Sequence, residues 1–201
     1  MQHDFILLDR SGSMEAQWTE AINSVNTYVK KLAEDKVDTG VTLAVFDSES
    51  GKLDFQILRD RITPQTWKAV DPTEAPPRGM TPLNDATGKI VALANAGGYD
   101  KVAIIIMTDG HENNSRELSV EQAKKLLDAC RAKNWQVIFL GANFDNAGQA
   151  ASYGNLAAST VQSSVRNYGA TLSTMASKRG TYGATGQAMA FTDEEKQKLK
   201  Q

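Results

Sequence analysis

Residues 4–13 read Asp4-Phe5-Ile6-Leu7-Leu8-Asp9-Arg10-Ser11-Gly12-Ser13, and this stretch decides the fold. A short apolar run closing on a polar turn is the pattern of a central strand buried on both faces. The period then changes. Over residues 15–35, Trp18, Ile22, Val25, Val29 and Leu32 recur three or four apart and form one apolar helical stripe. The alternation continues downstream. Val102 to Met107 is a second wholly apolar strand, ending in Thr108-Asp109-Gly110. A helix from about Val120 to Lys133 buries Ala123, Leu126, Leu127 and Cys130, and Trp135 to Leu140 is the next strand. Val41 to Phe46 and Leu53 to Leu58 flank the turn Asp47-Ser48-Glu49-Ser50-Gly51 as a hairpin, which makes the second of them antiparallel and an edge. Prolines 64, 72, 76 and 77 break residues 59–80, and a helix resumes near Pro82 and stops at Gly97-Gly98.

Strands alternating with helices predict an α/β, Rossmann-like, doubly wound open sheet of about six strands. It is mostly parallel, has one antiparallel edge strand, follows the order 3-2-1-4-5-6, and carries helices on both faces. A short helix near 146–153 and a weak strand near 159–163 complete it. Two segments are expected: a domain over 1–165 and a C-terminal helix or tail extension over 166–201. Residues 155–191 are rich in Ala, Ser, Thr and Gly and carry Arg166, Lys178 and Arg179 with no acid. They read either as a final strand, surface helix and loose tail, or as a mobile arm that docks elsewhere. On either reading, looser packing is expected after about residue 165.

With 201 residues, 41% of them apolar, the chain can bury a sizeable core without staples. A net charge of -2 does not suggest a nucleic-acid partner. The single cysteine, Cys130, excludes an internal disulfide framework and a cysteine-rich zinc site. The run Phe5–Leu8 is too short for a signal core or a membrane span. A cytoplasmic protein, bacterial or phage-encoded and without membrane contact, is therefore expected.

Three segments carry the chemistry: Asp9-Arg10-Ser11-Gly12-Ser13, Gly79-Met80-Thr81-Pro82-Leu83-Asn84-Asp85 and Thr108-Asp109-Gly110. Asp9 and Asp109 close the first and fourth strands, which are neighbours in the expected order. Their gap is the topological switch point where such sheets place ligands. Only oxygen is offered there: carboxylates of Asp9 and Asp109, hydroxyls of Ser11, Ser13 and Thr81. Hard oxygen donors, few of them charged, suit Mg²⁺, with Mn²⁺ a credible substitute and Ca²⁺ possible; zinc would want His or Cys.

Asp9-x-Ser11-x-Ser13, Thr81 in Gly-Met-Thr-Pro-Leu and Asp109 in Met-Thr-Asp-Gly together resemble the metal-ion-dependent adhesion site of von Willebrand factor type A domains. The likeness covers about residues 3–165, and all five ligand positions are filled. It implies that Asp9, Ser11, Ser13, Thr81 and Asp109 hold a divalent cation whose open position takes an Asp or Glu of a protein partner. Two carboxylates roughly neutralise such an ion and leave it able to accept one more anionic oxygen. Arg10, Arg78, His111, Glu112, Asn113 and Asn114 are candidates for the surrounding partner-binding rim, each against the plainer reading of a solvated loop residue. Asp85 reads either as a group near the metal or as a helix first-turn acid. Trp18, Trp67 and Trp135 read as packing residues.

His111-Glu112 resembles the start of a zinc-protease motif, but Ser115 stands where the second histidine is needed. The sequence holds no Gly-x-Gly-x-x-Gly, phosphate loop or nucleophile elbow. A phosphatase built on Asp9 would want a second acid where Ser11 stands. The expectation is a metal-dependent protein-binding module in an intracellular assembly, not an enzyme. The alternatives are a metal-dependent phosphoester hydrolase and a purely structural component of the same fold.

Overall fold

The computed structural model describes residues 1–109, 111–141, 151–154, 159–162 and 167–200. Six strands form one sheet: β1 (Gln2–Asp9), β2 (Gly40–Glu49), β3 (Lys52–Ile62), β4 (Lys101–Met107), β5 (Gln136–Gly141) and β6 (Thr160–Gln162). Their order is β3-β2-β1-β4-β5-β6. Only β3 runs antiparallel, at the edge. Sheet class, order and edge strand all agree with the sequence reading. The hairpin is longer than the apolar pattern suggested, because β3 continues through the charged residues Arg59, Asp60 and Arg61. Charges on an exposed edge discourage pairing with other chains.

Successive side chains of β1 point to opposite faces. Ile6 and Leu8 pack with Ile22, Val25 and Val29 of α1 (Trp18–Glu34), while Phe5 and Leu7 pack with Ile90 of α2 (Leu83–Ala96) and Leu127 of α3 (Val120–Ala132). That is why Phe5–Leu8 of β1 and Val102–Met107 of β4 are unbroken apolar runs: both faces of the sheet are covered there. The proline-rich segment is not featureless. Pro64–Thr66 and Pro72–Glu74 are short 3-10 turns, and Trp18 and Trp67 tie the segment to α1 by donating to Pro72 O and Asn26 Oδ1. Among the described residues no helix is long and apolar enough to cross a membrane.

The expectation of looser packing beyond residue 165 is corrected. α4 (Tyr168–Thr185) lies against α1 with Tyr168, Leu172, Met175, Ala176 and Tyr182 buried. α5 (Asp193–Lys200) follows, and Leu199 joins the same core. The helix also passes close to β1. A Cβ on Gly183 would lie 2.4 Å from Gln2 Oε1. Arg179 is fully buried and pairs with Asp4 on β1. The boundary expected at 165, Arg166, and residues 146–150 of the expected short helix lie outside the described residues.

His3 sits beneath the same end of the sheet. Its ring stacks on Tyr99 at 4.4 Å, and its Nε2 lies 2.9 Å from Thr42 Oγ1. Burial, aided by the charges of Arg179 and Arg61 and opposed by Asp60, lowers its pKa from 6.5 to about 4. The unfolded chain therefore binds the extra proton first, and stability rises with pH between those two values. It is lost as pH falls through that window. At pH 5 the loss attributable to His3 should approach about 2 kcal/mol. Urea melts at pH 5 and pH 7 should show it, and the difference should shrink in His3→Gln. An unchanged difference in the variant would refute this origin.

Candidate metal centre

Asp9 is the last residue of β1, and Asp109 lies two residues beyond β4, the parallel neighbour. Asp9 is fully buried. Its carboxylate accepts from Ser11 N at 2.7 Å and from Thr108 Oγ1 at 2.6 Å. Ser11 Oγ lies 3.1 Å from Ser13 Oγ, and Ser13 Oγ donates to Asp109 Oδ1 at 2.8 Å. Four of the five expected ligands thus form one connected cluster.

The segment that precedes Thr81 is tied to the cluster through backbone, and no hydrogen bond of the Thr81 hydroxyl to the cluster is seen among the described residues. Gly12 N donates to Gly79 O at 3.1 Å, and Arg78 N donates to Arg10 O at 2.8 Å. The same segment bridges to β2, where Ser48 N donates to Met80 O. Gly79 has φ 66°, and a Cβ there would meet Ser48 O at 2.1 Å, so only glycine lets these two backbones meet. On the other side Asn113 clasps Thr81: its amide N–H donates to Thr81 O, and its Oδ1 accepts from Thr81 N.

The electrostatics of the cluster are unbalanced. Burial pushes the pKa of Asp9 up to about 6, against the hydrogen bonds from Thr108 and Ser11, and the nearby Asp109 adds to the rise. Burial also raises Asp109, opposed by Ser13 and Gln17. Neither acid makes an ion pair among the described residues. A cation between them would favour both charged forms. Among the described residues no three His, Cys, Asp or Glu side chains are placed to hold a metal ion by themselves. The donor set of two carboxylates and three hydroxyls is instead hard oxygen of low charge, which fits Mg²⁺ or Mn²⁺ better than zinc.

Several of the expected rim residues are engaged in contacts within the chain. Arg10 is 3% exposed, because its guanidinium reaches away to Asp54, Gln56 and Asp47. Arg78 adds ion pairs to Asp47, Asp54 and Glu49. Together they fasten the first two segments to the β2–β3 hairpin. Glu112 accepts from the backbone N–H groups of Asn84, Asn114 and Ser115 and from the Ser115 hydroxyl, pinning its loop onto the start of α2. Asn114 Nδ2 contacts the Met80 sulfur. His111 and Asn113 remain exposed, as do Ser13 and Met80. Asp85 does sit in the first turn of α2, but its carboxylate accepts from Arg116 N, Glu117 N and Leu118 N and so shapes the loop leading to α3.

Thr108 and Gln17 escaped the sequence reading. Thr108 carried a signal, standing beside Asp109 at a strand end. Gln17 carried none, because a glutamine at the start of an amphipathic helix reads as solvated.

A family model described as von Willebrand factor type A domain matches residues 5–198. The fold resembles the vWF domain of the type V pili tip protein Mfa5 from Porphyromonas gingivalis, at 12% identity and TM-score 0.67, covering 96% of this chain and 98% of that one. It also resembles the manganese-loaded TRAP protein of Plasmodium vivax, at 16% identity and TM-score 0.60, covering 85% and 71%. A third likeness is to a D319A mutant of the PilB minor pilin of Streptococcus sanguinis, at 13% identity and TM-score 0.63, covering 92% of this chain and only 63% of that one. At such identities these likenesses speak for the fold alone. No curated protein matches the chain significantly.

Proposed function

The chain belongs to the von Willebrand factor type A domain family, and from that premise we propose that it is a metal-dependent protein-binding module and not an enzyme. Asp9, Ser11, Ser13, Thr81 and Asp109 would hold one divalent ion, Mg²⁺ or Mn²⁺ before Ca²⁺. When bound, that ion supplies a positive centre able to take an acidic side chain of a partner. The observation that carries this is the meeting of the buried Asp9 and the half-buried Asp109, neither ion-paired among the described residues, with the hydroxyls of Ser11 and Ser13 at the switch point of the sheet. That the solved TRAP protein is manganese-loaded supports the choice of metal.

The chain's own residues prepare the site. Thr108 and the Ser11 amide hold the Asp9 carboxylate, Ser13 holds Asp109, and Asn113 with Glu112 holds the Thr81 loop in place. The exposed Ser13, Met80, His111 and Asn113 border the opening and are the proposed rim. The cytoplasmic setting, in a bacterial or phage-encoded assembly, belongs to the same proposal; a lone Cys130, buried and unpaired, suits a reducing compartment.

Calorimetric titration with Mn²⁺ should give one saturable site, and a pull-down with this chain as bait should lose its partner when EDTA replaces Mg²⁺. Capture that persists in EDTA would remove the metal from the binding reaction. Melting temperature should rise only by the linkage term set by metal concentration over its dissociation constant.

A further inference from the structure

We infer that Gln17 is a positioning residue that fixes the Asp109 carboxylate for the ion, an inference that rests on the metal reading above. Gln17 closes the 3-10 segment Gly12–Gln17, which begins directly after Ser11. Its side chain is buried, and both its amino group and its carbonyl oxygen have partners. Nε2 donates to Asp109 Oδ2 and lies 3.3 Å from the Met14 sulfur, while Oε1 accepts from the Tyr168 hydroxyl at 3.4 Å. Asp109 orients the amide, because an ionised carboxylate only accepts, so the amino group must face it and Oε1 turns to the Tyr168 hydroxyl.

Ser13 and Gln17, four residues apart, therefore bracket Asp109, one donor on each oxygen. Two such bonds fix the plane of the carboxylate and still leave a lone pair on each oxygen. The neutrality of the amide is the chemical point. A lysine here would pair with Asp109 and compete with the ion, a glutamate would repel Asp109, and a leucine would leave Oδ2 half-buried without a donor. A glutamine holds the carboxylate without discharging it.

The test compares wild type with Gln17→Leu and Gln17→Lys, reading Mn²⁺ affinity by calorimetry and melting temperature in EDTA. Side-chain amide NMR of the metal-free wild type and of Asp109→Asn reports the contact itself. Loss of an outer hydrogen bond to a metal ligand typically weakens binding about 10- to 100-fold, so Gln17→Leu should fall in that range and Gln17→Lys beyond it. Their melting temperatures in EDTA should stay near wild type, and the Gln17 amide resonances should shift in Asp109→Asn. Equal Mn²⁺ affinity in wild type and Gln17→Leu would overturn the inference while leaving the metal site standing. So would a melting loss in EDTA with affinity unchanged, which marks a packing role. A wild type that binds no Mn²⁺ overturns the metal reading and this inference with it.

Discussion

Replacing Asp109 with alanine is expected to abolish measurable Mn²⁺ binding and to lower partner affinity at least about 100-fold, with the fold intact. The two effects separate because of where Asp109 sits. It lies beyond the end of β4, outside both apolar layers, and its bonds are to Ser13 and Gln17 in the loop and turn that follow β1. Its removal relieves the repulsion that Asp9 feels, so the metal-free variant should melt within a few degrees of wild type. Asp9 is a poorer place for the same test. It is fully buried and satisfies Ser11 N and Thr108 Oγ1, so truncating it strands two donors at about 1–3 kcal/mol each. Calorimetry, thermal melts in EDTA and pull-down on Asp109→Ala together decide the matter. Undiminished capture would show that the ion does not mediate binding. Collapse of the fold would show that the site is structural.

The sheet was legible because β1 and β4 are covered on both faces and so run unbroken in apolar residues up to a polar end. The site was legible for a related reason, since strand ends that carry Asp9 and Asp109 must meet once β1 and β4 are neighbours. Direction was not legible. Arg10 stands between two expected ligands, yet its side chain leaves the site for Asp47 and Asp54 on the hairpin, a pairing no local spacing encodes. Glu112 looked like a free acid on a loop, and it is consumed by backbone donors around the start of α2. The C-terminal helix misled for the opposite reason. Alanine, glycine and serine lower the apolar signal, but the face of α4 that meets the core carries Tyr168, Leu172, Met175, Ala176 and Tyr182.

Arg179 is where that misreading has its largest energetic consequence. A basic residue among small polar ones reads as a surface charge, but this guanidinium is fully buried beside Asp4, with Gln2 Oε1 at 2.8 Å and Thr39 Oγ1 at 3.2 Å. Asp4 is equally buried and accepts also from the Tyr28 hydroxyl at 2.8 Å. The pair joins β1 to α4 and is shielded from water. Removing one partner strands the other charge, so Arg179→Met should destabilise the fold by about 3–5 kcal/mol. Against a total of about 5–15 kcal/mol for a typical domain, that is a large share. Adding Asp4→Asn removes the stranded charge and keeps an acceptor for Tyr28, so the double variant should regain at least half of the loss. Urea unfolding of the two single variants, the double variant and wild type closes the cycle. A loss below about 1 kcal/mol for Arg179→Met would mean the pair is hydrated and α4 is not integral to the core. The expected pattern, with the single variant far weaker than the double, would instead make residues 168–185 as much a part of the domain as the strands that carry its site.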